Sequence, residues 1–232
     1  MVVNKTYRTK SVVLDKFIIK ERDVIYKLFS EDLGRIDAIG YSAAKSFKRF
    51  GGRGEKFSVV EILVKKIKDH FFILKDIFLL ESNEKIISSL RNTFSADIVT
   101  EIILKILPFG RKDDELFNWY IKYLKILDSY EKNTSLSFSL FEIAKIEGYI
   151  GSCERCNVCN KKVSYGYISY EQGIVCKECY NGYNGANMVN LHGLCLSSVY
   201  SQQLDREFIG LWEKIIDKEL ISKNIYKNVI VI

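Results

Sequence analysis

Two pairs of cysteines, Cys156/Cys159 and Cys176/Cys179, constrain this chain more than any other feature. Each pair is a C-x2-C turn, and sixteen residues separate the first pair from the second. Such turns let two sulfurs converge on one ion, and the intervening loop returns the chain with the other two, so the spacing predicts one tetrahedral metal. Four protein ligands leave no position for water or substrate, which makes a site of this kind a structural brace. Function is therefore expected elsewhere in the chain.

The choice of ligands needs an argument, because Cys153 extends the first pair to C-x2-C-x2-C. A ferredoxin-type run would continue C-x3-C-P, whereas Val163 stands four residues after Cys159 and no proline follows. Symmetry of the two turns selects Cys156, Cys159, Cys176 and Cys179 for one structural Zn2+ per chain, with Cys153 a spare small side chain and Cys195 a reduced core residue. Arg155, Lys161, Lys162 and Lys177 flank the ligands and offset the negative charge of a zinc tetrathiolate. Three disulfides are the other reading of six cysteines. The polar opening MVVNKTYRTK is not followed by an apolar h-region, so metal-held thiolates in a reducing cytoplasm are the expectation. Lys75 and Asp76 interrupt the most apolar stretch, FFILKDIFLL, and membrane spanning is not expected.

Charge is distributed unevenly. Residues 1–80 hold 17 Lys/Arg against 10 Asp/Glu, whereas the remainder holds 18 against 19. The densest stretch, KSFKRFGGRGEK at 45–56, carries Lys45, Lys48, Arg49, Arg53 and Lys56 against Glu55 alone, with Phe47, Phe50 and paired glycines interleaved. Clustered cations attract phosphates by counterion release, and aromatic rings offer faces to unstacked bases. The plainer reading is a solvated basic loop with Phe47 and Phe50 turned into the core.

Periodicity divides the chain. Val12 and Leu14, then Phe17 and Ile19, then Val24, Tyr26 and Leu28, then Ile36 and Ala38 alternate as strands do, and apolar runs at Phe57–Val64 and Phe71–Phe78 complete five strands. Five short strands with a long basic loop between the third and fourth predict a small barrel over 1–80, either the oligonucleotide-binding (OB) fold or an SH3-like barrel. From about Ser82 the period becomes helical. Ile86, Ile87 and Leu90, then Ile98, Ile102, Ile103, Ile106 and Leu107 run up to Pro108 and Gly110; Asp113 and Asp114 suit the next helix start, and Leu116, Trp119, Tyr120, Tyr123, Leu124 and Leu127 form its stripe. Another helix follows Asn133, Thr134 and Ser135 and ends near Gly148, the metal loop occupies about 150–180, and helices around Met188–Leu204 and Asp205–Leu220 close the chain. The expected fold class is α+β: a five-stranded OB barrel over 1–80, then a helical domain over 81–232 with an inserted four-cysteine zinc loop.

An enzyme is not expected. A zinc nucleobase deaminase needs His-x-Glu with P-C-x2-C, yet His70 precedes Phe-Phe and His192 precedes Gly-Leu. The chain has no phosphate loop, nucleophile elbow or zinc-protease helix, and Gly51, Gly52 and Gly54 match no nucleotide fingerprint.

Several segments, in order, are similar to one family. Tyr7-Arg8-Thr9-Lys10-Ser11-Val12-Val13-Leu14 resembles a start in which a short basic element precedes an "-IVL-" strand. Ala43-Ala44-Lys45-Ser46-Phe47-Lys48-Arg49-Phe50 is similar to a "GARRPKSRF" loop, followed by Phe57-Ser58-Val59-Val60-Glu61. Gly148-Tyr149-Ile150 leads to Arg155-Cys156-Asn157-Val158-Cys159, Gly173-Ile174-Val175-Cys176-Lys177-Glu178-Cys179 resembles a "GGLLCxxC" return, and Leu220–Ile225 a diverged "LKSxxFL". These segments resemble the RecO family of bacterial recombination mediators across nearly the whole chain. The chain departs from the pattern at Ala44, a basic position in the family, at Lys48, a serine position, and at Gly151, which replaces a proline.

The resemblance implies a cytoplasmic, nucleoid-associated DNA repair and recombination protein. It would bind single- and double-stranded DNA without sequence preference and anneal complementary strands. With the partner RecR it would help RecA load on DNA coated by single-stranded DNA-binding protein (SSB), whose C-terminal tail the family contacts. Arg8 and Lys10 of the opening and Lys45, Lys48, Arg49, Arg53 and Lys56 of the loop are the candidate DNA contacts. An RNA-binding or ribosome-associated protein built from the same barrel and zinc parts is the alternative.

Overall fold

The computed structural model describes residues 5–46, 50–129, 135–169, 171–181, 188–191 and 202–223. Five strands, β1 (Thr6–Ile19), β2 (Asp23–Ser30), β3 (Gly34–Gly40), β4 (Val59–Lys68) and β5 (Phe71–Glu81), close into a barrel in the order β1-β2-β3-β5-β4. All its ladders are antiparallel except β3 against β5, and β1 closes the barrel by pairing with both β2 and β4. Closure gives each of these five strands a partner on either side, so the sheet has no free edge among the described residues. With a parallel β3–β5 pair and a long β3–β4 connection, the barrel has the OB arrangement.

Strand alternation fills the interior. Val24, Tyr26 and Leu28, Ile36 and Ala38, Val60, Ile62 and Val64, and Phe72 and Leu74 share one buried cluster. In β1 the alternation read from sequence does not mark the inside. Val13, opposite Leu28, lies in the barrel core, Val12 and Leu14, on the opposite face, are also fully buried, and the register slips between Val13 and Asp15. A bulge adds one residue and reverses the facing of the residues beyond it. Phe17, opposite Ile25, consequently faces out of the barrel and stands 42% exposed, whereas Ile18, on the other face opposite Val24, is 64% exposed near the end of the strand.

The chain divides into two compact units, Met1–Ser89 with Ile103–Asp128, and Leu90–Ile102 with Ser129–Ile232. In the first, helix α2 (Asp114–Asp128) covers the outside of the barrel, where Phe117 meets Phe29 edge-on at 5.2 Å. Asp113 caps α2 by accepting from the Leu116 amide at 3.0 Å. Helix α1 (Leu90–Ile106) ends before Pro108, and the Arg35 guanidinium donates to the carbonyls of Leu104 and Leu107 at that end. These carbonyls have no partner within their own helix, and a cation suits the negative end of its dipole. Gly34 makes the approach possible: its φ is +65°, and a Cβ there would lie 2.1 Å from the Arg111 carbonyl oxygen.

In the second unit, α3 (Leu136–Ile146) is capped by the Ser135 hydroxyl, which accepts from the Phe138 amide at 3.1 Å. It packs with α4 (Gln202–Ile215): Phe141 meets Phe208 edge-on at 6.2 Å, and the buried Trp212 indole donates to the Leu140 carbonyl at 3.1 Å. The metal loop carries β6 (Tyr165–Ser169) and β7 (Gly173–Val175), and β8 (Val189–Asn190) joins the other edge of β6. The helix expected from Met188 thus begins, in its described part, as a strand; most of it, with His192 and Cys195, lies outside the described residues.

Candidate metal centre and nucleic-acid interface

The metal loop folds two cysteine turns against each other. In the first, the Asn160 amide donates to the Cys156 carbonyl at 2.8 Å, with Asn160 at φ +59°, and the Cys156 amide donates to Lys161 O at 2.9 Å. In the second, the Cys179 and Tyr180 amides donate to the Cys176 carbonyl at 3.2 and 3.1 Å. The β6–β7 hairpin brings the second turn back, and the Asn157 amide ties the two together by donating to Ile174 O at 2.8 Å. Gly173, at φ +70°, lets Asn157 close on the hairpin, since a Cβ there would lie 2.4 Å from the Asn157 side-chain nitrogen. Val163, Tyr167, Val175 and Tyr180 pack around the cysteines, and the rings of Tyr167 and Tyr180 stack at 4.0 Å.

All four sulfurs lie within 4.8 Å of one another, with Cys156 and Cys176 buried and Cys159 exposed. The Sγ atoms of Cys159 and Cys176 are 3.7 Å apart. Sulfurs bound at 2.3 Å to the centre of a tetrahedron are separated by about 3.8 Å, so the arrangement fits one ion. Protonation points the same way. Burial pushes the Cys156 thiol up, yet backbone amides of Cys159, Cys176 and Val158 bring it down to about 6. Cys179, by contrast, is pushed up to about 12 by hydrogen bonding with Cys159 and Cys176. One negative charge is accommodated and further ones are resisted, which is the electrostatic situation a bound cation reverses. Cys153 takes no part in the cluster.

The candidate DNA contacts fall in two places in the barrel unit. Arg8 and Lys10 lie two apart on β1, beside β4. Arg8 is already engaged, with an ion pair to Glu61 at 2.5 Å and its guanidinium 5.6 Å from the centre of the Phe78 ring. Lys45 stands exposed after β3, whereas Arg53 and Lys56 are half-buried, Lys56 lying 5.1 Å over the Phe57 ring. Phe47, Lys48 and Arg49 lie outside the described residues. Phe50 is 3% exposed and belongs to the barrel core, so it presents no stacking face; of the two readings of that ring, the core one holds.

Sequence reasoning missed the opposite bank of this loop. Lys45, Gly51 and Gly52 line an open groove of about 590 Å³ together with Lys16, Phe17 and Ile18 from the end of β1. Tyr26 lines it too; burial first, and then the nearby Glu55, push its hydroxyl up to about 12, so it stays protonated. The available signal was Phe17-Ile18-Ile19 beside Lys16, Lys20 and Arg22, an apolar hairpin end ringed by cations.

With barrel, cysteine cluster and basic loop in place, comparison with known proteins decides the family. The family model described as Recombination protein O N terminal matches residues 2–83, and Recombination protein O C terminal matches residues 87–212. The chain belongs to the RecO family. A DNA repair protein RecO of Caldanaerobacter subterraneus subsp. tengcongensis is 27% identical over 187 residues, 79% of this chain and 75% of that protein. One from Thermoanaerobacter sp. is 23% identical over 241 residues, covering 95% and 97%. One from Clostridium novyi is 27% identical over 177 residues, covering 75% and 69%. A likeness to the crystal structure of the ZRD-deleted mutant of TiaS in complex with agmatine covers 33% of this chain and 21% of that one, at TM-score 0.28 and 22% identity. It is too slight to bear on the fold. Among the described residues, no helix is long and apolar enough to cross a membrane.

Proposed function

We propose that this RecO family member is a recombination mediator without catalytic activity of its own. It binds single- and double-stranded DNA without sequence preference, anneals complementary strands and, with RecR, helps RecA load on SSB-coated single strands, contacting the C-terminal tail of SSB. The observation that carries this reading is the closed OB barrel within the segment that holds the chain's whole surplus of positive charge. Annealing requires a surface that screens two phosphate backbones while leaving bases accessible, and cations on a barrel meet the first requirement. Lys45, Lys48, Arg49, Arg53 and Lys56, with Arg8 and Lys10, are the proposed contacts. Arg8 reaches phosphate only by exchanging its Glu61 partner, so we rank it below the exposed Lys45.

Cys156, Cys159, Cys176 and Cys179 are proposed to hold one structural Zn2+. Soft thiolates in a tetrahedron select zinc over the hard cations that carboxylates hold. The proposed domains are the barrel at 1–80 and the helical domain at 81–232, and the proposed site of action is the nucleoid in the cytoplasm. Annealing of complementary single strands, naked and SSB-coated, tests the proposal. Acceleration of both supports a mediator; preference for structured RNA over single-stranded DNA in direct competition would favour an RNA-binding protein instead.

A further inference from the structure

We propose that the outer face of strands β1, β4 and β5 receives one unstacked base of single-stranded DNA, with Phe78 as the platform and the Arg8 guanidinium beside it. The inference rests on the DNA-binding reading and gives Arg8 a task other than contacting phosphate. Strand register places the parts. Lys10, Glu61 and Phe78 are direct neighbours across the three strands, and Arg8, Leu63 and Asp76 form the next row. Val60, Ile62 and Val64 lie in the barrel core, so the alternate residues Glu61 and Leu63, with their partners on β1 and β5, face outward. Phe78 stands 40% exposed on this face.

Arg8 is held at the ring before anything binds. Its Cζ lies 5.6 Å from the centre of the Phe78 ring, and its Nε donates to Glu61 at 2.7 Å. This charge-assisted bond orients the guanidinium without hiding it, since the Arg8 side chain remains 65% exposed. Aromatic rings and guanidinium planes both stack unpaired bases. Charge around the pair suits the flanking phosphates: Lys10 lies opposite Glu61, Lys65 is two residues beyond Leu63, and the Asp76 carboxylate is turned back on the Ile77 amide at 2.9 Å. Barrel closure leaves these strands no free edge, so an extended peptide cannot add to this face as another strand, whereas side chains standing on it are open to a base. A base inside a duplex has both faces stacked, and only a single strand offers a free face to the ring. Phe78 therefore distinguishes single strands from duplex, and the cations around it do not.

The full-length protein and its Phe78→Ala variant are to be titrated with a labelled single strand, the same strand carrying abasic residues, and the duplex. The wild type is expected to bind the intact strand more tightly than the abasic one. Phe78→Ala should bind the intact strand roughly five- to hundredfold more weakly, as expected on removing a base–aromatic stack, and the other two ligands nearly as well as wild type. Phe78→Leu, apolar but without a ring, should lose as much, Phe78→Trp should retain intact-strand affinity, and Arg8→Lys, which keeps the charge but not the plane, should lower the ratio of intact to abasic affinity. Unchanged thermal unfolding shows that the barrel is undamaged. Equal binding of intact and abasic strands by the wild type, a Phe78→Ala loss shared by all three ligands, or full intact-strand affinity in Phe78→Leu overturns the stacking site. Salt-sensitive DNA binding indifferent to Phe78 overturns it alone and leaves the exposed ring to a protein partner; failure of the wild type to bind DNA at all overturns the DNA reading with it.

Discussion

The sulfurs of Cys159 and Cys176, seventeen positions apart in the chain, lie 3.7 Å from each other, the separation expected of two ligands on one tetrahedral ion. The purified protein should accordingly contain one zinc per chain by elemental analysis and be colourless. Broad absorption near 400 nm would instead indicate an iron–sulfur centre.

Acid should release the metal. Protons compete with zinc for thiolates, so affinity falls as pH falls, and release followed with a zinc-sensitive dye should rise on acidification and reverse on return to neutrality. Cys176→Ala, which removes a buried cysteine of the cluster, should abolish stoichiometric zinc. The lobe at 150–181 should then melt first, with DNA affinity of the barrel retained. Loss of DNA binding in a folded, zinc-free protein would contradict the role of brace.

Replacing Lys45, Lys48, Arg49 and Arg53 together by alanine should weaken annealing and flatten the dependence of single-strand affinity on salt. The logarithmic slope drops by about 0.7 for each phosphate neutralised no longer. Zinc content and melting temperature should not change. Annealing equal to wild type would place the DNA surface elsewhere.

Gly34→Ala should destabilise the protein far more than Gly52→Ala, although both glycines have positive φ. A left-handed alanine costs about 1–2 kcal/mol at either site. At Gly34 the added carbon also meets the Arg111 carbonyl at 2.1 Å, whereas at Gly52 it meets nothing within 4 Å. Chemical denaturation of the two variants measures the difference; equal losses would mean that the Gly34 turn yields without cost.

Asp37 should make the barrel less stable as pH rises through the weakly acidic range. Burial pushes its carboxyl above the ordinary range, partly opposed by Arg35 and Lys27, and Oδ1 is buried with no hydrogen-bond partner. Between the ordinary and the raised value the folded state binds more protons than the unfolded one, so stability is present below the window and lost across it. Asp37→Asn should remove this dependence, visible as a narrowing gap in melting temperature between variant and wild type as pH is lowered.

Much of this arrangement was legible because it is local. C-x2-C turns state their geometry in their spacing, alternation identified the strands, and Asp113 and Ser135 cap helices where polar residues precede apolar stripes. The features that escaped depend on register and on distant packing. The bulge after Val13 changes which face β1 buries, and nothing in Val12-Val13-Leu14 distinguishes a shifted strand from a regular one. Phe17 turns out of the barrel beyond that bulge, and of the two readings of Phe50 the packing of the folded chain selects the core. Nor does the helical pattern of Ile103–Asp128 reveal that these residues belong with the barrel. Arg35 binding the last carbonyls of α1 is a contact across 69 and 72 positions that only the folded chain displays.

Strand annealing on SSB-coated DNA tests the central claim most directly. The protein should accelerate pairing of complementary single strands bearing SSB, in a salt-sensitive manner, and lose that activity when Lys45, Lys48, Arg49 and Arg53 are replaced. A folded, zinc-loaded protein that binds no single-stranded DNA, or that binds it without accelerating pairing, would contradict the account.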